Sequence, residues 1–224
     1  MADNTHKDAS SSDGLEKFFR AIEPTISDAE THLSVAPGTI GNIRDDSDFL
    51  AIVKMHATIE PMLNDALEQS VTRALKHPKV AFPGGDALAD FVLGANLEAK
   101  IRLALKSEII SESNAGFIRA VARVRNFYAH NVSNMPKTIY EAADELDKQG
   151  DGLAILRELM ASTSATKKKL TSRLAFVYLK PFMFLRFADL LANLMRGIRP
   201  PPALSDVMKG ILNQRIDDET QASP

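Results

Sequence analysis

Arg125, Asn126 and His130 lie within one hexapeptide, Arg125-Asn126-Phe127-Tyr128-Ala129-His130, and between them carry the groups needed to act on a phosphate ester. An arginine fork stabilises charge on phosphoryl oxygens. A carboxamide orients a phosphate or an imidazole, and an imidazole that titrates near neutrality gives or takes a proton. His130 is one of five histidines in 224 residues, and it stands at the end of a segment that also holds Arg119, Arg123 and Arg125.

That segment reads as a helix starting at Ser113 or Asn114, both good N-caps, with Phe117, Val121, Val124 and Tyr128 on its apolar face. At about 100° per residue, Arg119, Arg123, Asn126 and His130 fall on the opposite side and form a basic polar face suited to nucleic-acid backbone. Arg125 does not share it. Five residues before His130, it lies about 140° away, on the flank of the apolar stripe. Bringing the two together takes a long reach of the arginine, an unwound helix near Asn131, or a second subunit.

Apolar residues recur at three- and four-residue spacing along most of the chain, while alternating patterns are scarce, so the expected fold is all-α, a multi-helix bundle. Asp13 is the expected cap of a first helix burying Leu15, Phe18, Phe19, Ile22 and Ile26, with Pro24 bending or restarting it. Residues 37–41 form a connection. The clearest helix carries Phe49, Ile52, Val53, His56, Glu60, Leu63, Leu67, Val71 and Ala74 on one stripe and ends before Pro78.

Two polar residues sit on that stripe. The carboxylate of Glu60 is costly to bury unless paired, and Arg125 is its candidate partner. His56, one turn before Glu60, reads as the other half of a polar core pair, since no third metal ligand stands nearby in sequence. Further helices are expected from Asp86 to Leu93, from Leu97 to near Ser111, and from Thr138 to Lys148. A long helical region from Leu170 to Leu191 should kink at Pro181, with Phe176, Phe182, Phe184 and Phe187 in the core or a subunit contact. Lys169, Arg173 and Lys180 share a face there and make a second basic candidate for phosphate backbones.

The organisation implied is a disordered tail over residues 1–14, a helical domain over 15–198, and a Pro-rich stop, short helix and acidic tail over 199–224. Hydrophobic residues make up 45% and charged residues 25%, ordinary for a globular domain, and a net charge of −2 confines any nucleic-acid site to a local patch. The absence of cysteine removes disulfides and thiol catalysis and is compatible with a cytoplasmic location. The most apolar window, Leu174 to Met195, holds Lys180, Pro181, Arg186 and Asp189, so it reads as a buried helix rather than a membrane span. No glycine-rich phosphate loop, nucleophile elbow, His-Glu-x-x-His or dinucleotide fingerprint is present, and no cofactor or metal is implied.

An arginine followed by a small polar residue, with a histidine after four intervening residues, resembles the signature of the HEPN superfamily, helical domains that include metal-independent ribonucleases and inactive relatives. The order of Ile59-Glu60, then Leu97-Glu98-Ala99-Lys100-Ile101 with Leu103-Ala104, then Val124 to His130, is similar to the mannitol operon repressor family, over roughly Ser47 to Met195. The resemblance implies an endoribonuclease, a toxin or stress effector, with Arg125 and His130 essential, Asn126 supportive, and Glu60 and Tyr128 backing the site. It implies a homodimer through the motif helix. The nucleophile is then the RNA's own 2′-hydroxyl, and the product carries a 2′,3′-cyclic phosphate. The other branch implies a non-catalytic transcriptional regulator acting on DNA or through a regulatory protein. Two positions depart from the pattern: Ser107 or Glu108 replaces the usual glycine after the Lys100-Ile101 helix, and Val132 stands where one toxin branch has tyrosine.

Overall fold

A computed structural model describes residues 8–75, 94–146, 154–160 and 179–198. Within them the chain forms seven α-helices and two 3-10 turns and no strand, which makes it an all-α, multi-helix bundle. The helices are α1 (Asp8–His32), α2 (Asp48–Leu75), α3 (Leu97–Lys106), α4 (Glu112–His130), α5 (Ile139–Leu146), α6 (Ala154–Met160) and α7 (Leu179–Ile198), with turns η1 (Gly41–Asp45) and η2 (Val132–Asn134).

Local chemistry explains most of the boundaries. Asn96 caps α3 by accepting the Ala99 N–H at 2.9 Å, and Ser111 caps α4 by accepting the Asn114 N–H at 3.2 Å. Ser111, not Ser113 or Asn114, is therefore the start of the motif helix. Thr138 and Glu141 cap α5 reciprocally: Glu141 Oε2 accepts the Thr138 N–H at 2.8 Å and Thr138 Oγ1 accepts the Glu141 N–H at 3.2 Å. The first helix is already formed at Asp8, ahead of the expected cap Asp13, and continues through Pro24. Pro61 lies inside α2 in the same way. Pro181 lies in α7, and the residues before Leu179, toward which the expected kink would bend the chain, lie outside the described residues. The expected helix over 86–93 lies outside the described residues, as do Pro78, Phe176 and the proline-rich segment with its tail.

Helix α2 is the central member, packed against α7 and α4 and also against α3, while α1 covers α7 and α6 covers α4. Its inward residues, Ile52, Met55, Ile59, Met62, Leu63 and Leu67, are almost fully buried. They meet Phe117, Val121, Val124 and Tyr128 of α4 and Phe187, Leu190, Leu191 and Leu194 of α7 in one core. Phe184 is also buried, whereas Phe182 is 38% exposed.

The apolar window of α7 tolerates Arg186 because its partners come with it. Arg186 Nη2 donates to the Ser113 carbonyl at 2.7 Å, Nη1 donates to Asn114 Oδ1 at 3.3 Å, and the guanidinium lies 5.5 Å from the centre of the Phe117 ring. Burial pushes the Arg186 pKa down from its ordinary value, with Asp189 and then Glu158 pulling it back up. Across the molecule, buried Glu30 accepts the N–H groups of Gly38, Ile40 and Gly41 at 2.9, 2.7 and 3.1 Å and so pins the connection from α1 to η1. His32 Nε2 stands 2.8 Å from Asp65 Oδ2 and ties the end of α1 to α2.

Candidate functional site

Tyr128 fixes how the end of α4 meets the core. It is fully buried, packs edge-on against Phe49 of α2 at 5.6 Å between ring centres, and donates its hydroxyl to the Lys137 carbonyl at 2.9 Å. Burial, and then the charges of Asp48 and Glu141, push its pKa well above the ordinary phenol value. The ring thus anchors the helix end, and its hydroxyl is engaged by backbone.

The helix stops at His130 because Asn131 turns extended, with φ −151° and ψ 121°, and its side chain accepts the Ser133 N–H at 3.0 Å. Asn134 Nδ2 donates to the Phe127 carbonyl at 2.8 Å, satisfying one of the last-turn acceptors. Lys137 Nζ donates to Asn134 Oδ1 at 3.0 Å and to Glu145 Oε1 at 2.7 Å while lying over the Phe127 ring. The chain beyond His130 is consequently held by its own side chains.

Arg125, Asn126 and His130 all lie on the exposed surface of this last stretch of α4. Arg125 Nη1 donates to Asn126 Oδ1 at 3.1 Å, so the guanidinium is turned toward the carboxamide. Because α4 is helical through His130, the break at Asn131 comes too late to reduce the angle of about 140° between Arg125 and His130. Asn126 falls between them around the helix. Among the exposed residues that follow His130 are two apolar ones, Val132 at 75% and Met135 at 38% exposure.

The structure corrects the expectation for Glu60. It is exposed rather than buried on the stripe, and among the described residues it forms no ion pair with Arg125. The physical reason is that α2 buries Ile59, Met62 and Leu63, and the turn that points those side chains inward rotates Glu60 outward. His56 is half-buried; burial lowers its pKa most, Glu60 opposes that, and Arg125 lowers it again.

The basic face of α4 is also revised. Arg119 gives a two-pronged bond to Glu98 of α3, Nε to Oε2 at 2.9 Å and Nη2 to Oε1 at 2.7 Å. That bond lowers the Glu98 pKa and raises that of Arg119, and it assigns Arg119 to joining α3 and α4 rather than to an open phosphate contact. Arg123 is exposed and shares a groove with Arg119, Arg157 and Glu158, so its surroundings carry both signs of charge. Lys169 and Arg173 lie outside the described residues. Lys180 is turned to η1 and α2, bonding the Asp46 carbonyl and standing 3.4 Å from Asp48 Oδ1.

The residue that sequence reasoning undervalued is His56. Its signal was present: a histidine one turn before a glutamate on an otherwise apolar stripe. The packing of the core leaves that histidine half-buried, and burial lowers its pKa. Among the described residues, no group of three or more His, Cys, Asp or Glu side chains could hold a metal ion, and no helix is long and apolar enough to cross a membrane. No family model matches the chain, and neither a curated protein nor a solved structure matches it.

Proposed function

We propose that the chain is a HEPN-like, metal-independent endoribonuclease whose site is built on the exposed end of α4. The observation that carries this reading is the bonded pair Arg125–Asn126 presented to solvent on the same helix end as exposed His130. Arg125 holds the phosphoryl oxygens, Asn126 orients the phosphate, and His130 moves a proton to or from the reacting oxygens. The 2′-hydroxyl attacks the adjacent phosphorus, so RNA is cut and DNA is not.

The helical angle between Arg125 and His130 favours a composite site, in which two copies of the chain pair their α4 ends and each arginine meets the other copy's histidine. The apolar residues Val132 and Met135 beside His130 suit such a contact, since exposed apolar surface next to a polar site is a common mark of association. The second reading is a non-catalytic regulator or interaction module. The observation favouring it is the Arg119–Glu98 bond, which takes one arginine out of the basic face.

Incubation of purified protein with mixed RNA substrates in chelator separates the two, with Arg125→Ala and His130→Ala alongside. Fragments ending in 2′,3′-cyclic phosphate, made by the parent and lost in both variants, are the expected result. Intact RNA with a folded dimer overturns the nuclease reading. Mixed dimers of the two variants should regain at most one working site, and hence part of the parent activity, if the site is composite.

A further inference from the structure

The groove that Arg123 shares with Arg119, Arg157 and Glu158 runs between α4 and α6 and has a volume of about 400 Å³. Gly116 and Ala120 form its α4 floor, so no bulky side chain fills it from that helix. Gly116 also fixes how α6 sits: a methyl group there would fall 2.0 Å from Glu158 Oε2, so the carboxylate occupies the place of a side chain. Helix α6 buries Ile155, Leu156, Leu159 and Met160, which leaves Arg157 and Glu158 on its partly exposed edge. On the facing wall Arg119 is held by its two-pronged bond to Glu98, and Arg123 follows one turn later, exposed.

Three guanidiniums therefore line the groove against one carboxylate, and the positive excess survives when Glu98 is set against Arg119. The groove also joins the candidate site. Arg123, Asn126 and His130 lie within about 60° of one another around α4, and Arg123 precedes His130 by about 10 Å along the axis. A ligand lying along this face meets Arg123 and Arg157 at one end and His130 at the other.

We propose that the groove between α4 and α6 is a subsite for single-stranded RNA, in which Arg123 and Arg157 grip a phosphate of the strand whose reacting phosphate lies at His130. The inference rests on the ribonuclease reading and extends it from one phosphate to a run of strand. A guanidinium fork matches phosphate oxygens, and the cavity is of the size that takes one small unit such as a nucleotide. Among the described residues no aromatic side chain lines it, so bases have no platform to stack on and the grip is on backbone, whatever the base. Glu158 is the one group in the lining that repels a phosphate.

The test uses the full-length protein with Arg123→Gln, Arg157→Gln and Glu158→Gln, and circular dichroism to establish folding. Each is assayed on a dinucleoside monophosphate, which holds only the reacting phosphate, and on a decanucleotide. Loss of one charged bond should raise KM for the decanucleotide by about 10-fold in each arginine variant, with kcat within roughly threefold. KM for the short substrate should not change, and Glu158→Gln should lower KM for the decanucleotide only. An equal change for both substrates, or none for either, overturns the subsite.

Binding of a labelled 2′-O-methyl decanucleotide, which cannot be cut, separates this failure from failure of the ribonuclease reading. The slope of log K against log salt should flatten by about 0.7 in each arginine variant. That result with no cleavage by the parent removes the ribonuclease reading and leaves the groove as an RNA-binding surface. Unchanged slopes overturn the groove whether or not RNA is cut. Binding of a polyglutamate peptide through the same arginines, with no binding of RNA, overturns the proposal in favour of an acidic protein segment.

Discussion

Replacing Tyr128 by phenylalanine tests what the tyrosine contributes beside the motif. Phenylalanine keeps the ring, so the edge-on contact with Phe49 at 5.6 Å and the fully buried position are retained, and no cavity opens. What disappears is the bond of 2.9 Å to the Lys137 carbonyl. A net hydrogen bond of this kind contributes about 1 kcal/mol, and a carbonyl left partly unsatisfied adds up to about 1 more. The expected loss is therefore about 1–2 kcal/mol, or a Tm lower by about 2–8 °C for a chain of this size. The loss should be the same from pH 5 to pH 9, because burial and the charges of Asp48 and Glu141 raise the phenol pKa well above that range and the hydroxyl remains a donor throughout. Urea unfolding at several pH values gives the stability, and RNA cleavage per folded molecule gives the activity. Unchanged stability with abolished cleavage would refute the reasoning, since the hydroxyl would then act on substrate and not on the backbone.

Glu108 holds φ at 55°, a left-handed conformation that closes α3 through the Ser107 N–H to Leu103 O bond and the Ile109 N–H to Ala104 O bond. Glu108→Gly removes the strain of a side chain there, partly offset by the greater freedom of glycine in the unfolded chain, and should stabilise by about 0.5–1 kcal/mol in urea unfolding; a destabilised variant would contradict this. Arg186→Met retains the buried stem but removes the bonds to Asn114 Oδ1 and the Ser113 carbonyl, so a loss of about 1–3 kcal/mol is expected. Arg186→Ala should lose more because it also opens a cavity, and the reverse order of the two Tm values would argue against a packed stem. His56 adds a pH dependence to stability. Its folded pKa is below the unfolded value of about 6.5, so the unfolded state binds more protons and the stability it confers, present above that pH, is lost as pH falls through the folded pKa. His56→Gln should flatten that part of the stability profile, and an unchanged slope below pH 6.5 would show that other groups set it.

The sequence placed the helices better than their ends. Periodic apolar residues mark α2, α3, α4 and α5 because burial of one face repeats every three to four residues, and this requires no knowledge of the partner helix. The starts were less legible. Ser113 and Asn114 are good caps in isolation, yet the helix starts earlier, with Ser111 accepting the Asn114 N–H and Asn114 itself buried. Pro24 and Pro61 each disfavour a continuous helix locally, yet α1 and α2 run through them, since packing along the whole helix outweighs one missing hydrogen bond.

For the candidate site, the sequence by itself determined the types of group and their angles on one helix. Arg125, Asn126 and His130 share the end of α4, and the separation of about 140° between the arginine and the histidine follows from helical geometry alone. Only the tertiary structure decided the neighbours. It turned Glu60 outward, bound Arg119 to Glu98, and buried Arg186 against Ser113 and Asn114. The reason is physical: a side chain's position around its own helix follows from local backbone geometry, whereas what it meets depends on the direction and register of another helix, fixed by packing of the whole core.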